Sequence, residues 1–313
     1  FSPDGFRLAL TDGQRVFRWD LRTDKRQEVY KSNNMPFRHV RFSADGKTLL
    51  ATHPPGIKLL DPGTGKERAA IEAYYGTIGA SGRYVFVTPD NLTISAYSAT
   101  TGKKTATLAA KKGKTEVGRS PFNDIVIESP GGKWVVGLGA VLFEANTQKE
   151  IHHWQTQPKP LQFAFTPDEK TLVTTDSKGT MIVWELPSLR QRHVAPKTWA
   201  PTGLSAISSD NRTAALMQDA GTMVLFDLVE GVALARVIGF SAPVARMAFS
   251  PDGKSLVTGC TDGTIQFWCP VTGAQRLNVP AHFGSVTVLA FSPNGAILAT
   301  GGGQTVRLWL ARE

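Results

Sequence analysis

A turn-forming motif recurs through this chain at a spacing that leaves few folds open. It reads FSPDG at 1–5, FSADG at 42–46, FTPDE at 165–169, FSPDG at 249–253 and FSPNG at 291–295, with weaker copies ASG at 80–82, ESPGG at 128–132 and ISSDN at 207–211. A second anchor, an aromatic or apolar residue closing a strand, follows 11 to 15 residues after each turn: Trp19, Leu60, Tyr97, Phe143, Trp184, Phe226, Trp268 and Trp309. The steps between these anchors are 41, 37, 46, 41, 42, 42 and 41 residues. Two independent anchors keeping one period of about 41 residues define a repeat protein of eight units.

Inside a unit the pattern is all strand. Residues 244–277 read VARMAF, turn SPDG, KSLVTG, turn TDGT, IQFW, turn PVTGA and QRL. Each run is short, rich in Val, Leu, Phe and Trp, and closed by Gly, Pro or Asp. Pro presets φ, Asp bonds the local backbone and Gly takes positive φ, so these residues dictate tight turns. Runs such as LVTG and VLFD are apolar on both faces, which suits a small sheet packed between two others. No segment carries a 3.6-residue apolar period long enough for a helix. Four short antiparallel strands per repeat are the signature of a β-propeller blade.

Composition agrees. Thirty Gly and 19 Pro in 313 residues supply the turns, and at 19% charged residues the chain is not of the charge-driven disordered class. No stretch of ~18 uncharged apolar residues exists to span a membrane as a helix. Lys and Arg number 35 against 26 Asp and Glu, a net charge of +9 compatible with an acidic protein surface or nucleic acid. Cys260 and Cys269 fall on one proposed hairpin that turns at Thr261-Asp262-Gly263-Thr264. Their separation of ~13 Å along the strands exceeds the reach of a disulfide. Two reduced thiols point to a cytoplasmic setting.

The chain resembles the WD-repeat β-propellers, in the form rich in SPDGK turns that is common in prokaryotic proteins, over essentially its whole length. The resemblance rests on the FSPDG-like turns, the dipeptide Trp19-Asp20 and its variants Trp184-Glu185, Leu60-Asp61 and Phe226-Asp227, and the turns at Thr64-Gly65-Lys66, Thr101-Gly102-Lys103 and Thr272-Gly273. The eight anchors imply an eight-bladed propeller, and the resemblance implies a buried network in each blade of His, Ser or Thr, Asp and Trp. No blade here has all four. Blade eight has His282, Thr300 and Trp309 but Gly302 and Gly303 where Asp is expected; blade seven has Thr258, Asp262 and Trp268 but Phe240 in the place of His.

Against the four-stranded blade, the chain opens at the first turn of blade one and closes with the third strand of blade eight. The expectation is that an upstream segment of about 20 residues supplies both remaining strands, and that the chain is one propeller domain of a longer protein. Seven blades would leave ILATGGGQTVRLW, a strong blade match, outside the fold. Blade four departs most. Residues 111–124 are an insertion, and Glu128 stands where other repeats have the anchor Phe.

Chemistry-bearing motifs are scarce. Gly113-Lys114-Thr115 imitates the end of a phosphate-binding loop, but Leu108 occupies the position of its first Gly and no helix pattern follows. The six histidines His39, His53, His152, His153, His193 and His282 lack metal-ligand spacing, because adjacent His152 and His153 point to opposite strand faces. Asn91-Leu92-Thr93 and Asn211-Arg212-Thr213 match glycosylation sequons but lie in turns, where Asn serves the backbone. No catalytic residue, cofactor site or metal site is assigned. The basic cluster Lys103, Lys104, Lys111, Lys112, Lys114 and Arg119 lacks the interleaved aromatics that base stacking needs.

The function expected from these residues is a non-enzymatic protein–protein interaction scaffold, meeting another protein or another domain of the same chain. No membrane and no small-molecule substrate is inferred. The alternatives are sequence-nonspecific nucleic-acid binding through the basic loop Lys111, Lys112, Lys114 and Arg119, or a propeller enzyme. The family's usual binding rim lies where each blade's first strand opens, which places Arg38, His39, Gln162, Arg246 and Thr287 at candidate partner-binding positions. Ala164, Ala206, Ala248 and Ala290 lie deeper, and Arg41 breaks that run of small residues as a side chain expected to reach into the channel. Replacing Arg38 and Arg246 by Ala is expected to weaken a partner tenfold with little change in stability.

Overall fold

The computed structural model describes residues 1–32, 36–53, 56–73, 76–90, 93–109, 126–137, 140–154, 158–176, 178–195 and 205–310. These hold eight antiparallel sheets, one per sequence repeat, each with its strands in chain order. Blades two to seven have four strands; blades one (Arg7–Lys31) and eight (Val286–Leu310) have three. The described residues include no helix. The fold is all-β, of the eight-bladed propeller class. Contacts group the chain into two compact units, Phe1–Gln155 with blades one to four and Thr156–Glu313 with blades five to eight.

The recurrent turn is built around a hydroxyl. Ser43 Oγ donates to Asp45 Oδ1 (2.6 Å) and accepts the Thr48 N–H (2.9 Å). The same pair of bonds links Thr166 with Asp168 and Thr171, Ser250 with Asp252 and Ser255, and Ser292 with Asn294 and Ile297. These hydroxyls are buried, so each polar atom must be satisfied locally. The turn closes through a left-handed residue, Gly46 at φ 68° and Gly253 at φ 71°; blade five accepts Glu169 there at φ 60°.

Beyond the turn, the second and third strands are buried on both faces. In blade six Thr213–Met217 and Met223–Asp227 are buried throughout. The apolar clusters lie between neighbouring sheets: Ala215, Met223 and Leu225 of blade six pack with Phe249, Leu256 and Trp268 of blade seven. Each such Leu or Phe contributes about 1.5–3 kcal/mol. Outer strands such as Gln275–Pro280 are mostly exposed. In blades two to seven the register between third and fourth strands slips immediately before the anchor residue, as between Val183 and Trp184 or Phe267 and Trp268. A bulge of this kind bends the edge strand and blunts it as a template for pairing.

Three of the four anchor tryptophans are tied to the second strand. Trp184, Trp268 and Trp309 donate Nε1–H to Thr174, Thr258 and Thr300 at 2.8–2.9 Å. In blade eight the chain of bonds continues: His282 Nε2 lies 2.8 Å from Thr300 Oγ1 and Nδ1 lies 2.9 Å from Thr305 Oγ1, whose hydroxyl donates to Gly302 O (3.0 Å). With Thr305 donating onward, His282 carries its proton on Nδ1 and accepts from Thr300 on Nε2. Thr305 thus fills the place where the sequence lacks Asp. In blade seven the Phe240 ring stands edge-on to Trp268 at 5.1 Å, an apolar contact in place of a histidine bond. Both cysteines are free thiols.

The turn hydroxyls make a pH prediction. Asp45 and Asp252 are held below the usual carboxylate range, first by Ser43 and Ser250 and then by backbone N–H groups. A depressed folded-state value means the unfolded chain binds more protons in acid. The turns therefore stabilise fully above about pH 4, and that contribution is lost as pH falls through the folded-state values. Ser250→Ala is expected to move Asp252 upward in an NMR titration; an unchanged Asp252 would remove the hydroxyl from this account.

Candidate functional site

In the first unit, Arg38 and His39 are exposed where the first strand of blade two begins. Their backbone N–H groups bond to Thr52 O (2.9 Å) and Thr52 Oγ1 (3.1 Å), so the strand rather than the side chains is fixed. Arg41 does not project freely. Its guanidinium donates to the carbonyls of Gly79 (3.1 Å) and Ala80 (2.5 Å) in the turn of blade three. Under that turn sits Glu128, 4% exposed, accepting the Ser81 N–H on Oε2 (2.8 Å). Gly79 stands where other turns have Ser, and a Cβ built there would come 2.4 Å from Glu128 Oε2. The carboxylate has therefore taken the space of the missing side chain. The two departures of blades three and four, Gly for Ser and Glu for Phe, compensate each other. Glu128→Ala would leave the Ser81 N–H unsatisfied and is expected to cost about 1–3 kcal/mol in denaturant unfolding.

The second unit brings more of the expected residues together. Gln162 Oε1 accepts from Thr175 Oγ1 at 3.2 Å. Arg246 Nε donates to Thr287 O (2.9 Å) and Nη1 to Ala245 O (2.7 Å). The first strands of blades five, seven and eight each bulge at their opening, with Leu161, Ala245 and Thr287 as the extra residues. A bulge leaves its extra residue unpaired in the ladder, and Arg246 caps two of the carbonyls so released. Arg246→Ala therefore carries a stability cost of about 1 kcal/mol, a departure from the neutral effect expected from sequence. Because Thr287 is the extra residue, Val288, 54% exposed, pairs in blade eight as Arg246 does in blade seven.

Two residues of this face had no signal in the repeat alignment. Phe283 is 92% exposed and Ile238 is 70% exposed. Both sit on loops leading into first strands, seated on the turn between Cys260 and Thr264. Ala281 and His282 donate their N–H groups to Gly263 O at 3.0 and 2.9 Å, so Phe283 follows two fixed residues. Ser241 Oγ lies 2.5 Å from Thr264 Oγ1, and Gln266 Nε2 donates to Gly239 O at 3.5 Å, which holds the Ile238 loop. The only hint in sequence was an aromatic residue between His282 and Gly284, where a turn expects a polar one.

The basic loop Lys111, Lys112, Lys114 and Arg119, and with it Gly113-Lys114-Thr115, lies outside the described residues; Lys103 and Lys104 are exposed on blade three. Among the described residues no group of three or more His, Cys, Asp or Glu is placed to hold a metal ion, and no helix is long and apolar enough to cross a membrane.

Cys269 occupies the position held by Asp or Glu after other anchors. Asp61 and Asp227 there accept two successive backbone N–H groups. The Cys269 sulfur meets the same donors: Thr272 and its N–H, then the Val271 N–H, hold the thiol down at about 7, with Arg276 assisting. Burial instead pushes the Cys260 thiol up. Iodoacetamide is expected to alkylate Cys269 in the folded protein with a midpoint near that value and to leave Cys260 unmodified. Equal labelling of both thiols would contradict this geometry.

Eight antiparallel blades repeated along the chain define a repeat β-propeller. The family model described as "WD domain, G-beta repeat" matches residues 232–269 and 273–309. Each match runs from the outer strand of one blade through the third strand of the next, so repeat and sheet are offset. Those residues carry WD repeats, and the described sheets give the chain an eight-bladed β-propeller fold. Among solved structures it is similar to a computationally designed protein, at 19% identity and TM-score 0.74 over 98% of this chain and 93% of that one. It is also similar to a chain in the crystal structure of a mitotic checkpoint complex, at 13% identity and TM-score 0.61 over 99% of this chain and 85% of that one. No curated protein matches it in sequence.

Proposed function

We propose that this chain is a non-enzymatic scaffold that binds a partner protein through the loop face of blades seven and eight. The observation that carries the reading is Phe283. A phenyl ring almost wholly in water costs free energy, and its loop is nevertheless held rigid by bonds on both preceding residues. Ile238 and Val288 add exposed apolar surface in the same blades, and Arg246 adds a charge whose orientation is set by two carbonyls. Preorganised aromatic and Arg side chains are what protein interfaces use as anchors, because little entropy is lost on binding. Fold similarity to a chain of a multi-protein checkpoint complex is consistent with this role.

The test is affinity capture with the intact chain, followed by titration of the principal partner. Phe283→Ser with Ile238→Ser is expected to weaken that partner at least tenfold, ~1.4 kcal/mol, with an unchanged melting temperature. A partner bound equally by wild type and variant would place the working surface elsewhere.

A further inference from the structure

A second recognition element lies on the turns of blade three, independent of the loop face. Five blades carry a carboxylate immediately after the anchor residue: Asp20, Asp61, Glu144, Glu185 and Asp227. Cations flank it from two sides. Across the third and fourth strands Asp20 faces Lys25, Glu144 faces Lys149 and Glu185 faces Arg190, whose guanidinium donates to Glu185 Oε2 at 2.6 and 2.9 Å. The other cation follows the first turn of the blade. In blade six Arg212 Nε donates from there to Asp227 Oδ2 at 2.7 Å.

Blade three keeps both cations and lacks the carboxylate. The residue after its anchor Tyr97 is Ser98, yet the backbone there is unchanged. Ser98 N–H donates to Lys103 O (2.8 Å), as Asp61 N–H does to Lys66 O in blade two. Ala99 N–H donates to Arg83 O (2.8 Å), as Leu228 N–H does to Arg212 O in blade six. Lys103 and Arg83 therefore hold the positions of Arg190 and Arg212, on either side of Ser98. Lys104, paired with Tyr97, adds a third cation. The first turn brings no acid either, since Ser81 stands where blades two, five and seven have Asp45, Asp168 and Asp252.

Arg83, Lys103 and Lys104 are exposed, and among the described residues none of them makes an ion pair. Carboxylates of the adjoining blades have other partners. Glu67 pairs with Lys58 (2.6 Å), Asp61 with Arg68, Glu144 with the Thr147 hydroxyl (2.8 Å), and Glu128 accepts the Ser81 N–H (2.8 Å). The repeats themselves show which anion fits between such cations: a carboxylate, at 2.6–2.9 Å. Charge-assisted bonds of this kind are roughly twice as strong as neutral ones.

We propose that the turns of blade three bind a carboxylate side chain of an acidic protein segment, which takes the place beside Ser98 that Asp or Glu holds in five other blades. Arg83 and Lys103 pair with that carboxylate, and Lys104 meets the next acidic residue of the segment.

The probe is the peptide acetyl-Glu-Asp-Glu-Asp-Glu-amide, titrated into the intact chain and followed by the amide NMR signals of Thr100 and Thr101, which both donate to Ser98 Oγ. Exposed ion pairs are screened by salt, so the titration is run at low ionic strength. Saturable shifts of both signals are expected, and the peptide with Gln and Asn in place of its acids should leave them unmoved. Ser98→Asp, which supplies the carboxylate from within, should weaken binding by about fivefold or more, the size that two exposed ion pairs support. Arg83→Gln with Lys103→Gln should do the same, with melting curves verifying that both variants fold. Phe283→Ser should bind the peptide as wild type does, which separates this site from the loop face. A folded Ser98→Asp chain that binds as tightly as wild type overturns the proposal. So does the absence of saturable shifts at millimolar peptide, or a single-stranded oligonucleotide that moves the same signals at lower concentration than the peptide.

Discussion

A buried hydroxyl at the first turn of most repeats sets the geometry on which the rest of a blade depends. Ser43, Thr166, Ser250 and Ser292 each satisfy themselves between a carboxylate or amide two residues on and an N–H five residues on. That closed arrangement fixes where the first strand ends and the second begins. A one-residue slip would move every side chain to the opposite face, and here both faces of the second strand are buried. The turn is therefore a register device, and the sheets that follow inherit its accuracy.

Where a blade departs from the motif, the compensation comes from a neighbouring part of the structure. Blade three lacks the hydroxyl, and Glu128 of the next blade enters the space and takes the Ser81 N–H. Blade eight lacks the Asp of its buried network, and the Thr305 hydroxyl relays the proton order from His282 to Gly302 O. Blade seven lacks the His and packs Phe240 against Trp268 instead. Loss of one member of a buried polar network has to be compensated, and blades three, eight and seven each use a different route.

The same economy separates the surface into inert and available regions. Arg246 looked from sequence like a free rim anchor, but the bulges of two first strands release carbonyls that it caps. Phe283, which the repeat pattern does not single out, is the most exposed large apolar side chain among the described residues. Gln148 stands where four other blades have glycine and adopts the same left-handed φ, as Asp24 and Leu189 do in blades one and five.

The sequence by itself determined the all-β class, the eight repeats, the anchor residues and the turns, because these depend on interactions within a few residues. Ser-x-Asp-Gly chemistry and strand length are local, and a period of about 41 residues repeats them visibly. It also determined that the second and third strands are buried on both faces, since runs such as Leu256–Cys260 carry no polar face. Only the tertiary structure decided where bulges fall, that Arg41 ends on the carbonyls of Gly79 and Ala80, and that Phe283 stands in solvent. Those outcomes depend on residues about 40 positions apart meeting across adjacent blades, and no local pattern encodes which atom of one repeat lies opposite which atom of the next.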